Sequence, residues 1–131
     1  MEIKDKKDME RYRVKRAWQT MTEDEDNAKL GHWNLTAGRL YYALFYMSTA
    51  LLLDKGIGTK SHAGVISYIG KEFVLPGMLT REEARLISAL QNMRHQGDYD
   101  DFNQWTEQDV TPLFKPTRDL LKKMESFLTL I

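Results

Sequence analysis

The run from Leu40 to Leu53, LYYALFYMSTALLL, holds no charge, no glycine and no proline, and it constrains the fold more than any other part of the chain. A helix that is apolar on every side must be covered on every side. Leu40, Ala43, Leu44, Met47 and Leu51 share one face, while Tyr42, Phe45, Tyr46 and Leu53 fill the others. The run is shorter than the roughly 20 residues a bilayer-spanning helix needs. Lys55-Gly56-Ile57-Gly58 then stops it, with glycine supplying the backbone freedom of a C-terminal cap. The segment therefore reads as the central helix of a bundle, from about Trp33 or Asn34 to Leu53, packed by neighbours within the chain and by a second copy of it.

Three Pro and eight Gly are scattered over 131 residues, and the period-2 alternation of strands is absent. The expected fold is all-α. A first helix is expected from about Lys4 to Lys29, with Met9, Tyr12, Val14, Ala17, Trp18 and Met21 as its apolar positions. Its stripe is ragged, and the acidic run Glu23-Asp24-Glu25-Asp26 predicts fraying or an early end. Arg11, Arg13, Lys15 and Arg16 form a basic cluster; the plainer reading is a solvated face, the sharper one a nucleic-acid patch. Ser61 caps a short helix reaching about Phe73, and Pro76-Gly77 turns the chain. Thr80-Arg81-Glu82-Glu83 is a capping box that starts a helix from Arg81 to about Gln96. Thr106 to Asp109 is a second cap, with Trp105 and Val110 as a hydrophobic staple. Pro112 and Pro116 predict a bent or restarted last helix, whose regular part carries Leu120, Leu121, Met124, Phe127 and Leu128.

Arg94 is the residue most in need of an explanation. It lies one turn beyond Leu90 and two beyond Ile87, on the apolar side of its helix. A cation aimed at a core calls for an acidic partner or a ligand. Asp98, one turn further on, is the nearest candidate partner, although Gly97 predicts that the helix is already ending there. Arg39 sits one turn before Ala43 and faces the margin of the core beside Tyr41 and Tyr42. Two inward-leaning guanidinium groups suit a phosphate, which they bind bidentately. They suit internal pairing with Asp98 and Asp101 equally well.

Several chemistries are disfavoured outright. There is no Cys, so disulfides, thiolate metal sites and cysteine nucleophiles are excluded. His32, His62 and His95 lack metal-ligand spacing, and no metal or other cofactor is expected. Asp98, Asp100 and Asp101 read as partners of Arg94 and solvent before they read as a divalent-ion site. Nucleophile-elbow, Walker and dinucleotide-binding motifs are missing. With 19 basic and 19 acidic residues, the chain lacks the overall positive field of a non-specific DNA binder. The charged stretch Met1 to Asp8 is no secretory core, and a cytoplasmic protein without a membrane segment is expected.

Four segments resemble the HEPN domain family, in particular its small stand-alone prokaryotic members found beside minimal nucleotidyltransferases. They are Gly38-Arg39-Leu40-Tyr41-Tyr42-Ala43-Leu44-Phe45-Tyr46, Lys60-Ser61-His62-Ala63-Gly64-Val65-Ile66, Gly70-Lys71-Glu72-Phe73, and Met93-Arg94 through Asp98-Tyr99-Asp100-Asp101-Phe102. The similarity runs from about Ala37 to Phe127. It implies an antiparallel four-helix bundle with a short extra helix, occupying residues 1–131 as one domain. It also implies a homodimer, with functional arginines facing a shared cleft. Family members act as RNA-cleaving toxins, as partners of nucleotidyltransferase antitoxins, or as binding modules.

The RNA-cleaving members share an Arg and a His separated by four to six intervening residues, acting without metal. This sequence departs from that pattern, because the three slots after Arg94 hold Tyr99, Asp100 and Asp101. His95 is adjacent to Arg94 and so diverges from it by about 100° on a helix. The expectation is a toxin–antitoxin component that binds a nucleotide or RNA phosphate without catalytic residues. The expected site is Arg94, Arg39, Tyr99, Asp98, Tyr42 and His62, with Tyr99 as a hydrogen-bond donor or stacking surface. His62 reads first as a residue beside the Ser61 cap. The alternative is a metal-independent ribonuclease toxin using Arg94 with His62 or His95.

Overall fold

In a computed structural model, which describes residues 3–59 and 61–129, all regular secondary structure is helical. Lys60, quoted above in one of the family segments, lies outside the described residues. The helices are α1 (Ile3–Lys29), α2 (Trp33–Asp54), α3 (His62–Ile69), α4 (Arg81–Tyr99), α5 (Glu107–Val110) and α6 (Phe114–Glu125). A wider π turn, Gly70–Val74, continues α3, and a 3₁₀ turn, Thr111–Leu113, joins α5 to α6. No strand occurs among the described residues.

Contacts between helices run in opposite chain directions, which fixes the topology. Lys7 pairs with Asp54, Arg13 reaches the Thr49 carbonyl and Arg39 reaches Thr20, so α1 and α2 are antiparallel. Trp18 bonds Glu125 and Glu25 bonds Arg118, so α6 runs back along α1. Arg94 meets Tyr42, and Gly97 meets Asn34, so α4 opposes α2. The four long helices thus form an antiparallel bundle, with α3 and the four-residue α5 as short extra helices.

The central helix is the one its composition demanded. Leu40, Tyr41, Ala43, Leu44, Met47, Ala50 and Leu52 have no exposed surface at all. Their cover comes from α1, α3, α4, α5 and α6 of the same chain. The core face of α2 is therefore covered within the chain, while Tyr42, Phe45 and Tyr46 stay half-buried at its margin.

Three local expectations are corrected. First, α1 neither frays nor ends at its acidic run; it continues to Lys29, anchored by the Trp18–Glu125 bond of 2.6 Å and the Arg118–Glu25 pair of 2.9 Å. Met9 and Tyr12, taken for core positions, are exposed. Second, α6 stops at Glu125, so Phe127 and Leu128 pack from the turn beyond it; Phe127 stacks on Phe73 at 5.9 Å.

Third, α4 runs through Gly97 to Tyr99. The glycine is there for close approach rather than termination. A side chain at Gly97 would start 3.4 Å from Asn34 and 3.5 Å from Trp105 Nε1, and the positive-φ glycines are Gly31, Gly56 and Gly77 instead. Asn34 ties down the chain that follows. Its Nδ2 donates to the Asn103 carbonyl (3.1 Å), and its Oδ1 accepts from the Trp105 amide (2.8 Å). Asn34→Ala strands both backbone groups and is expected to cost about 2–3 kcal/mol, measurable as a lower urea midpoint with unchanged slope.

Both capping boxes form as read. Thr80 Oγ1 accepts from the Glu83 amide and Glu83 accepts from the Thr80 amide, while Thr106 and Asp109 do the same for α5. That fixes where α4 begins, and hence which face Arg94 shows.

Candidate phosphate-binding site around Arg94

Arg94 points back along α4 onto the face of α2, and the sequence of α2 makes room for it. A Cβ at Gly38 would lie 3.3 Å from Arg94 Cγ, so the glycine is the shelf on which the arginine stem rests. The guanidinium lies over two rings at once, 5.6 Å from the Tyr41 centroid and 5.5 Å from that of Tyr42. Both distances are within cation–π range.

Its polar contacts are sparse. Nη1 reaches Tyr42 Oη and Asp98 Oδ2 at 3.5 Å each, the outer edge of hydrogen-bonding distance. Nε is buried without a partner. The side chain is only 16% exposed, while Asp98 is half exposed. A guanidinium has five N–H donors, and here most of that capacity is unspent.

Arg39 lies against the same ring system, its Cζ 5.4 Å from the Tyr42 centroid. It reaches Thr20 Oγ1 at 3.5 Å and faces the buried Asp24. Tyr42 is therefore flanked by two guanidinium groups. Both expected arginines and Tyr42 are brought together, and Asp98 joins through Arg94.

His62 arrives from the start of α3, where Ser61 Oγ accepts from the Gly64 amide and caps the helix. Its Nδ1 shares a 2.7 Å hydrogen bond with Tyr41 Oη, and its ring packs 4.6 Å from Phe45. The Arg94 guanidinium lies over that same Tyr41, which makes the phenol the link between arginine and histidine. Burial, and secondarily the Arg94 charge, push the His62 pKa down, so the imidazole is neutral near pH 7. Burial pushes the Tyr41 hydroxyl up to about 12, with Arg94 opposing, so it keeps its proton.

Tyr99 and His95 do not join this cluster. Tyr99 is 70% exposed at the end of α4 and packs on the exposed ring of His95 at 4.8 Å. Asp100 caps the next turn by accepting from the Phe102 amide. No group of three or more acidic or histidine side chains positioned for a metal ion occurs among the described residues. Nor is any described helix long and apolar enough to cross a membrane.

Sequence reasoning named Tyr41 only as a neighbour and missed its role. The available signal was its lack of an escape to solvent on an all-round apolar helix, because a buried phenol needs a polar partner. Gly38 was equally legible as the one residue without a side chain opposite Arg94. Gly38→Val pushes a branched side chain into the Arg94 stem. It is expected to weaken any anion bound at the guanidinium at least tenfold with the arginine still present, at an overpacking cost of about 1–3 kcal/mol. Anion titration beside a thermal melt separates the two effects.

The described helices thus form an antiparallel bundle in which an under-paired arginine lies on a tyrosine pair beside a histidine. The sequence matches the HEPN domain family over residues 10–127, and the chain belongs to that family. It is 36% identical over 93 residues to a UPF0332 protein of Thermotoga maritima, covering 71% of this chain and 65% of that protein's length. It is 28% identical over 128 residues to a Methanocaldococcus jannaschii protein that bears the name "putative toxin", covering 98% of this chain and 86% of the other. A UPF0332 protein of Gloeobacter violaceus is 31% identical over 97 residues, covering 73% and 77% of the two chains.

Proposed function

We propose that this chain is the toxin-like component of a two-gene toxin–antitoxin system, and that it binds a nucleotide or RNA phosphate at Arg94. Arg39 and Tyr42 assist, and Asp98 acts as the displaceable partner. The observation that carries this reading is the state of Arg94: largely buried, stacked on Tyr41 and Tyr42, and paired only by two bonds of 3.5 Å. An incoming phosphate supplies what that guanidinium lacks, a short bidentate acceptor. The toxin assignment draws on the name of the Methanocaldococcus relative. Resemblance to the small HEPN subfamily supports a minimal nucleotidyltransferase as partner, a homodimer and a cytoplasmic setting. Tyr99, exposed at the end of α4 and packed only on the His95 ring, serves as an outlying stacking surface.

Binding without cleavage is the favoured mode. The three slots that hold histidine in the RNA-cleaving members are Tyr99, Asp100 and Asp101 here. Where Tyr41 donates to His62 Nδ1, the hydrogen of the neutral imidazole sits on Nε2, which then donates to phosphate and does not act as a base.

The ribonuclease reading requires the opposite tautomer, with Nδ1–H donating to Tyr41 and a free Nε2 lone pair. The shared cluster of His62 and Arg94 favours His62 over His95 for that role. Titration with AMP and with a labelled oligoribonucleotide tests both. Saturable binding lost in Arg94→Ala, with the RNA intact, supports the binding mode. Cleavage lost in both Arg94→Ala and His62→Gln establishes the ribonuclease instead. No saturable binding and no cleavage removes both.

A further inference from the structure

Beside the Arg94 cluster, between α1 and α2, lies a cleft of about 490 Å³ lined by Tyr12, Arg13, Arg16, Phe45, Tyr46 and Thr49. We infer that this cleft is the path of a single RNA strand, holding a base against Tyr12 and Tyr46 and its phosphates on Arg13 and Arg16. The inference rests on the phosphate reading of Arg94 and extends it to a polynucleotide.

Continuity with the Arg94 cluster is the first support. Phe45, on the cleft wall, packs 4.6 Å from His62, and Tyr46 packs 6.1 Å from Tyr42. The exposed margin of α2 is thus an aromatic stripe, Tyr42-Phe45-Tyr46, with Arg94 and Arg39 at one end and Arg16 and Arg13 at the other. Stacking platforms interleaved with guanidinium groups are how single strands are held without sequence preference.

Charge is the second support. Arg13 is partly buried, its one inter-helix bond goes to the Thr49 carbonyl (3.2 Å), and burial alone lowers its pKa, with no carboxylate compensating. Arg16 lies 5.5 Å above the Tyr46 ring and leans on its hydroxyl before any acid. Among the described residues neither forms an ion pair, whereas Lys7, Arg11, Lys115, Arg118 and Lys123 all do. Arg13 and Arg16 thus bring to this cleft wall donors that no carboxylate within ion-pair distance takes up. Tyr12, 67% exposed on the rim, covers nothing of the core. It is an apolar ring held in solvent beside two cations.

The test is fluorescence anisotropy of a labelled single-stranded RNA dodecamer on the full chain, with AMP titrated in parallel. Arg16→Gln and Tyr12→Ala alter exposed side chains, so the fold is retained. Each is expected to weaken the dodecamer about tenfold while leaving AMP within twofold. Arg16→Gln also flattens the log–log salt dependence by about 0.7. Lys15→Gln, an equal charge loss on the neighbouring face, is expected to change the RNA affinity less than twofold.

If the dodecamer binds and depends on Arg94 but ignores Arg16→Gln and Tyr12→Ala, the cleft path is wrong and the phosphate site stands. An equal loss in Lys15→Gln, or equal affinity for a duplex, also overturns the path. Weakening by the cleft variants with Arg94→Ala silent keeps the path and removes the phosphate reading. A wild-type chain that binds no RNA overturns the path.

Discussion

Arg94→Ala is expected to stay folded and to lose affinity for nucleotide and RNA about a hundredfold, with Arg94→Lys recovering only a small part. Truncating one member of a desolvated charged pair costs about 2–5 kcal/mol of binding, and a hundredfold is near the low end of that range. The fold survives because little depends on this side chain. Its bonds to Tyr42 and Asp98 are long, and the carboxylate left behind is half exposed and takes up water. Lysine keeps the charge but has neither the planar fork for a phosphate nor the flat face that lies on Tyr41 and Tyr42. A functional arginine with a small stability footprint is what distinguishes this site from an internal ion pair, whose removal from one side strands a buried charge and costs about 3–5 kcal/mol.

The second large effect lies in α1 and concerns stability. Asp24 has no exposed surface, its Oδ2 has no partner, and burial lifts its pKa to about 7 against the pull of the Asn27 amide and the Arg39 charge. A carboxyl whose folded pKa lies above its unfolded value of 3.8 holds its proton in the fold and releases it on unfolding. Between about pH 4 and 7 the unfolded chain therefore binds fewer protons, and stability falls as pH rises. Above pH 7 the full penalty is present, on the order of 4 kcal/mol for a shift of about three pKa units.

Asp24→Asn removes the charge and keeps the acceptor for Asn27, but leaves a buried amide hydrogen in place of Oδ2. The expected result is a chain about 2 kcal/mol more stable than the parent at pH 8 and no more stable at pH 4. Urea midpoints at the two pH values read it directly. A gain equal at both, or confined to the acid side, contradicts the assignment.

Legibility followed the range of the interaction. Helix starts were readable because capping is local: Thr80 with Glu83 and Thr106 with Asp109 are pairs three residues apart. The inward face of Arg94 was readable because helical periodicity is local too. The end of α4 was misread because Gly97 answers to Asn34, sixty-three residues away in sequence, rather than to its own helix. The same blindness hid the Tyr41–His62 bond, which only the docking of α3 on α2 creates. The ragged stripe of α1 concealed that Asp24 and Glu10 are fully buried, and that Arg13 and Arg16 turn toward α2. A charged helix cannot be divided into solvent and cleft faces until its neighbour is known. The aromatic margin of α2 was visible throughout, but which of its residues the chain covers and which it leaves half-buried along a groove depends on the docking of α1.

The central claim is that the Arg94 guanidinium is the anion receptor, and its own resonance tests it. The ¹⁵N–¹H signal of Arg94 Nε, assigned by its absence in Arg94→Lys, is followed as AMP is added. A saturable shift of this signal is expected at the concentrations that saturate binding, because a phosphate on the Nη groups changes the charge distribution of the whole guanidinium. AMP binding to saturation with the Arg94 signal unmoved, or failing to bind at all, contradicts it.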